Sequence, residues 1–205
     1  SYSPYAFCNN NPVNFVDPDG RRWVNSLGQV IYDKNGLSAY ASMEEVELVK
    51  AMLKTRTGAK QLDKIANIPV DIVVIIDNSK APKGQYGHRK LYGIKYNTRT
   101  GKYYPSRGCE IITYKRKAES RSWLLDTYEA MAVNFAHEIE HTTSENIKLV
   151  YEKYSKDAIE EYPDLISQNM ISEFYITKPL DNLDALYRLI EEMLQEEANI
   201  QIDFK

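Results

Sequence analysis

The period of apolar and polar positions changes several times along the chain, and each change predicts an element. Val70-Asp71-Ile72-Val73-Val74-Ile75-Ile76 is a β-branched run. Such side chains suit a pleated, packed surface, so residues 70 to 76 are predicted to form a buried strand. Leu91 to Tyr96 and Cys109 to Tyr114 are further strand candidates, separated by Gly, Asn and Thr turns. Trp23 to Tyr32, followed by Asp33-Lys34-Asn35-Gly36, predicts a short hairpin, because Asn-Gly supplies the positive φ values of a tight turn. Residues 43 to 54 place Val46, Val49, Met52 and Leu53 on one helical face, with Gly58 near the end and a second short helix expected at about 58 to 66. From about Ser120 onward the chain reads as helical, broken at Pro163 and Pro179. Helices, then strands, then helices predict an α+β fold rather than alternating βαβ units.

One helix carries a second pattern. At about 100° per residue, Leu124, Tyr128, Met131, Phe135 and Ile139 form an apolar stripe directed at the core. His137 and His141 fall on the other side, beside Ala130, Val133 and Asn134, whose small or polar side chains leave room for a substrate.

Composition narrows the functions open to such a fold. The 205 residues are 43% hydrophobic and 27% charged, ordinary for a globular protein, and no apolar run is long enough to span a bilayer. A net charge of −3 provides no global basic field, which argues against nucleic acid as a partner. Cys8 and Cys109 have neither a disulfide framework nor a CxxC spacing. No charged segment followed by an apolar one opens the chain, so a signal peptide is not expected in these residues.

Against this background His137-Glu138-Ile139-Glu140-His141 is the chemically informative stretch. Two histidines four residues apart on a helix are separated by about 40° around the axis and one turn along it, so both rings can reach one tetrahedral ion. Glu138 then lies beside that ion, where its carboxylate can take a proton from water. Catalytic zinc needs three protein ligands and an open position. The glycine and third histidine of the extended HExxHxxGxxH pattern are absent after His141. The third ligand is therefore expected to be a carboxylate from a later helix, as in the gluzincin arrangement. Leu183, Leu186, Ile190 and Met193 define a stripe whose next position is Glu197. A carboxylate directed at the core needs a partner, and zinc would be one, so Glu197 is the expected ligand. Glu196 and Glu173 are the alternatives.

Two resemblances extend this reading. Tyr5, Asn10-Asn11-Pro12-Val13 and Asp17-Pro18-Asp19-Gly20 resemble the closing motif of the RHS repeat-associated core, the shell of bacterial polymorphic toxins. The resemblance implies that residues 1–22 are the tail of that core or a linker, and that 23–205 form the toxin domain. It also implies an effector secreted or delivered into a target cell, the shell of the parent chain as a partner, and a cognate immunity protein. Gln195-Glu196-Glu197-Ala198-Asn199 is similar to the Glu-Ala-Asn helix that supplies the third ligand in compact gluzincin-like peptidases, and the order of segments resembles zincin-type effector metallopeptidases.

Together the expectations are a zincin-like α+β domain with a small twisted, mainly antiparallel sheet, an active-site helix and a helical C-terminal part. The expected activity is hydrolysis of a polypeptide substrate by a zinc metallopeptidase with Glu138 as general base. A non-peptidase effector such as a nuclease, and an inactive zincin scaffold used for binding, are the competing readings. A zincin receives its substrate as an added strand at a sheet edge, and Glu110 to Tyr114 is the edge expected here. His88 is expected in a loop, and 16 tyrosines leave the oxyanion-stabilising group open.

Overall fold

The computed structural model describes residues 22–79, 87–115 and 125–176. The N-terminal motif up to residue 20, Cys8, Leu124, Pro179 and the expected ligand helix with Glu196 and Glu197 lie outside the described residues. Within them the chain runs through β1 (Trp23–Val24), β2 (Val30–Asp33), β3 (Gly36–Leu37), α1 (Met43–Leu53), α2 (Arg56–Ile65) and β4 (Ile72–Asp77). It continues through β5 (Gly87–Leu91), β6 (Ile94–Asn97), β7 (Lys102–Pro105), β8 (Cys109–Tyr114), α3 (Thr127–Glu140), α4 (Ser144–Tyr151) and α5 (Lys156–Ile176).

Six strands form one sheet in the order β3-β2-β1-β4-β8-β5, and β6 pairs with β7 in a separate hairpin. The larger sheet is mixed: β1–β4 and β4–β8 are parallel at its centre, and the three other pairings are antiparallel. The β2–β3 hairpin turns through Lys34 and Asn35 with Asp33 paired to Gly36, and of the predicted Asn-Gly only Gly36 has a positive φ, 96°. Alternation along the central strands defines the covered face. Ile72 and Val74 on β4, and Cys109, Ile111 and Thr113 on β8, are buried, whereas Val73, Ile75, Glu110 and Ile112 are half-buried.

The helices cover that face. Trp23, Ile31, Ile72 and Ile111 from the sheet share a core with Leu48 and Met52 of α1, Leu62 and Ile65 of α2, Met131, Phe135 and Ile139 of α3, and Met170 and Phe174 of α5. The rings of Trp23 and Phe135 lie 5.1 Å apart, joining the first strand to the middle of α3. Capping boxes define the starts of α1 and α3, with Ser42 and Glu45 exchanging bonds at one and Asp126 and Glu129 at the other.

Three expectations change. Leu53 is exposed, and Leu48 takes its place on the buried face of α1. The side of α3 opposite the stripe is covered too, because α5 packs there, and Ala130, Val133 and Asn134 are buried rather than open to a substrate. Pro163 does not end a helix; α5 runs through it.

Candidate metal centre

The centre is built where α3 ends. His141 follows the last residue of α3, and Thr142 and Thr143 donate their hydroxyls to the carbonyls of Ile139 and Glu140 at 2.7 and 2.8 Å. Those bonds satisfy carbonyls that a helix terminus leaves bare. Thr143 is also the N-cap of α4. The turn is therefore tight, and Asn146, in the first turn of α4, comes back onto His141. Beyond α4, Lys153 at φ 59° and the following residues return the chain to α5. That helix directs Glu160, Asp164 and Ser167, spaced by four and three, at the end of α3.

Three atoms converge. Nε2 of His137 and Nε2 of His141 lie 3.2 Å apart, and Oε2 of Glu160 lies 3.3 Å from the first and 3.1 Å from the second. Zinc bonds of about 2.0–2.1 Å at tetrahedral angles place neighbouring ligand atoms about 3.3 Å apart. The triangle observed is thus the size that a small divalent ion requires. Among the described residues these three are the one group of His, Cys, Asp or Glu able to surround an ion.

The outer nitrogens are held as well. Nδ1 of His141 lies 2.9 Å from Oδ1 of Asn146. Nδ1 of His137 lies 3.3 Å from the Ser167 hydroxyl and 3.5 Å from Oδ1 of Asp164. Partners of this kind set the tautomer and the ring orientation of a ligating histidine. An amide oxygen can only accept, so Nδ1 of His141 carries a proton and Nε2 is the atom that faces His137 and Glu160. Nε2 of His137 and a carboxylate oxygen converge on it, an arrangement that calls for positive charge at its centre. A proton on His137 answers part of the demand; a divalent ion answers all of it.

Electrostatics agree with the geometry. Burial alone would raise the Glu160 carboxyl, but the hydrogen bonds and charges of His137 and His141 outweigh it and hold it well below the usual carboxylate range. For His137, burial works against protonation, yet the Glu160 hydrogen bond and the charges of Glu138, Glu160 and Asp164 raise it above 6.5. Glu138 is only 7% exposed. Burial raises its carboxyl above the ordinary value, opposed by His137, His141 and Arg89.

Glu138 reaches the covered side of β5. Strand pairing sets Gly87 opposite Thr113, Arg89 opposite Ile111 and Leu91 opposite Cys109, so these residues share the buried face, while His88 and Lys90 are exposed on the other. A Cβ at Gly87 would fall 2.8 Å from Cγ of Glu138 and 2.9 Å from its Oε1. Arg89 has a buried Nε with no hydrogen-bond partner among the described residues. Burial lowers its guanidinium from the ordinary value, while the carboxylates of Glu138 and Glu160 act the other way.

Set beside the sequence-based expectations, His137 and His141 meet as the spacing predicts. Glu173 is occupied elsewhere, accepting from the backbone N–H of Thr57 at 2.9 Å and from its hydroxyl at 2.6 Å. Glu160 was not anticipated. Its signal was the Glu160, Asp164, Ser167 spacing, hidden by reading Pro163 as a helix end. His88 lies in β5, not in a loop. Glu110 to Tyr114 is not the edge: β8 sits between β4 and β5, and β5 is the outer strand of the described sheet next to α3. Cys109 is buried and free, and desolvation pushes its thiol up to about 12, which removes it as a thiolate ligand or nucleophile.

No protein-family model, no curated protein and no solved structure matches this chain. Among the described residues no helix is long and apolar enough to cross a membrane.

Proposed function

We propose that the chain is a zinc-dependent endopeptidase of the gluzincin type, with His137, His141 and Glu160 as metal ligands and Glu138 as general base. The observation that carries this reading is the triangle of 3.1, 3.2 and 3.3 Å between the three donor atoms, two of them one helical turn apart in an HExxH sequence. Zinc held there would polarise a scissile carbonyl and acidify a water molecule. The chain's own residues supply the rest.

Glu138, buried beside the ligands, takes the proton from the attacking water and returns it to the leaving amine; burial raises its carboxyl toward the range useful to a base working near neutrality. Among the described residues strand β5 is the outer strand of the sheet beside that carboxylate, where an extended polypeptide can pair. Arg89 contributes a fixed positive charge on the same side. The resemblance of residues 5 to 20 to the end of an RHS core supports an effector role, with delivery into a target cell and a cognate immunity protein. The test is digestion of casein by the purified zinc-loaded protein. Glu138→Gln retains zinc and loses cleavage, and 1,10-phenanthroline abolishes wild-type cleavage. Cleavage by Glu138→Gln at the wild-type rate rules the mechanism out.

A further inference from the structure

Pro163 lies inside α5, eight residues into the helix, and has no N–H to give to the carbonyl of Ile159 four residues earlier. A bare, partly buried carbonyl is unfavourable, so its partner is informative. That partner comes from another element: Nδ2 of Asn146, on α4, donates to the Ile159 oxygen. Asn146 is only 1% exposed, so neither end of its amide has water to turn to. With its nitrogen committed to a carbonyl, it must present its oxygen at the other end, 2.9 Å from Nδ1 of His141. The residue after Ile159 is Glu160, whose Oε2 lies 3.1 Å from Nε2 of the same histidine.

We infer that Pro163 and Asn146 are a positioning pair for the metal centre. The proline withholds a backbone hydrogen bond so that the asparagine can anchor on α5 and fix His141 with its Nε2 turned to Glu160. The inference rests on the metal reading above and adds to it: the amide orientation at 146 is set by the residue at 163, which touches neither histidine in any bond the structure records. An alanine at 163 would bring an N–H to the Ile159 oxygen and compete with Asn146 for it. The asparagine amide would then be free to turn its nitrogen toward His141, which selects the wrong tautomer.

The test is zinc affinity by chelator competition, with thermal midpoints, for the full chain and for Pro163→Ala alone and combined with Asn146→Asp or Asn146→Ala. Asn146→Ala weakens zinc binding by about 10- to 100-fold, the range seen when the outer partner of a ligating histidine is removed. The carboxylate introduced by Asn146→Asp still accepts from Nδ1 but cannot donate to Ile159. Pro163→Ala supplies that donor, so it strengthens zinc binding in the Asn146→Asp background and weakens it where Asn146 is kept. In the Asn146→Ala background, Pro163→Ala raises the thermal midpoint but leaves zinc binding weak, because nothing then fixes the histidine. An effect of Pro163→Ala with the same sign and size in the wild-type and Asn146→Asp backgrounds overturns the pair while leaving the metal site intact. A wild-type chain that binds no zinc overturns the site and the pair together.

Discussion

Gly87 lies so close to Glu138 that a methyl group on its Cα would fall 2.8 Å from Cγ and 2.9 Å from Oε1. Its φ is not in the left-handed region, so backbone conformation does not demand glycine there. What demands it is the carboxylate. A Cβ would displace one side chain from its Cγ outward, which the fold tolerates and a proton transfer does not. Gly87→Ala is predicted to keep its zinc and to change stability by less than about 1 kcal/mol. Its casein cleavage should fall by about 100-fold, since a misplacement on the order of 1 Å at a reacting group has that effect. Parallel measurements of zinc content, thermal midpoint and initial rate check this; a wild-type rate would show that Glu138 need not stay where it is.

Arg89 presents a different balance. Its Nε is shut off from water with no partner among the described residues, which the fold itself does not need. Arg89→Met keeps the aliphatic length and removes the unpaired donor. In the zinc-loaded protein, where the ion balances Glu160, the thermal midpoint is predicted to stay level or rise, and the cleavage rate to fall by at least about 10-fold. A lower midpoint with an unchanged rate would make Arg89 a structural residue only.

The pH dependence follows from the two shifted partners. His137 is raised above 6.5 in the folded chain, so its proton stabilises the metal-free fold fully below 6.5, and that contribution is lost as pH rises through the raised value. Glu160 is lowered from 4.5, so its contribution is present above 4.5 and is lost only as pH falls toward its folded value. The metal-free pair is thus strongest between 4.5 and 6.5. Zinc must displace the His137 proton in that window, and less of it as pH rises through the raised value. Binding should weaken by about tenfold per pH unit below the raised His137 value. The rise in thermal midpoint on adding zinc to chelator-stripped protein is therefore predicted to be larger at pH 8 than at pH 6; an equal rise at both would remove His137 from the ligand set.

How much of this could be read from the sequence depended on the range of the signal. The two histidines and Glu138 are local, and so is β8, whose limits, Cys109–Tyr114, match the run that predicts it. Strand order is not local. An earlier strand, β5, covers the outer side of β8 through antiparallel pairing, and nothing in Glu110 to Tyr114 announces that neighbour. Strand β7 ends in Pro105 and has no run of β-branched residues, so it was invisible to period and propensity. The second buried face of α3 exists because α5 packs on it, a tertiary event that a single-helix stripe does not encode. Glu160 was hidden for a related reason. Pro163 normally signals a helix end, and here the bond it forfeits is replaced by Asn146, from a different helix.

The central claim is that one ion is held by His137, His141 and Glu160. The most direct measurement is zinc content per chain by elemental analysis, after purification and equilibration with limiting zinc, for wild type and for Glu160→Ala, Glu173→Ala and Glu197→Ala. The account predicts about one zinc per chain in wild type, loss of it in Glu160→Ala, and retention in the other two. In Glu173→Ala the bonds to Thr57 disappear, costing stability of about 1 kcal/mol but no metal. A full equivalent of zinc in Glu160→Ala, or its loss in Glu197→Ala alone, would contradict the account.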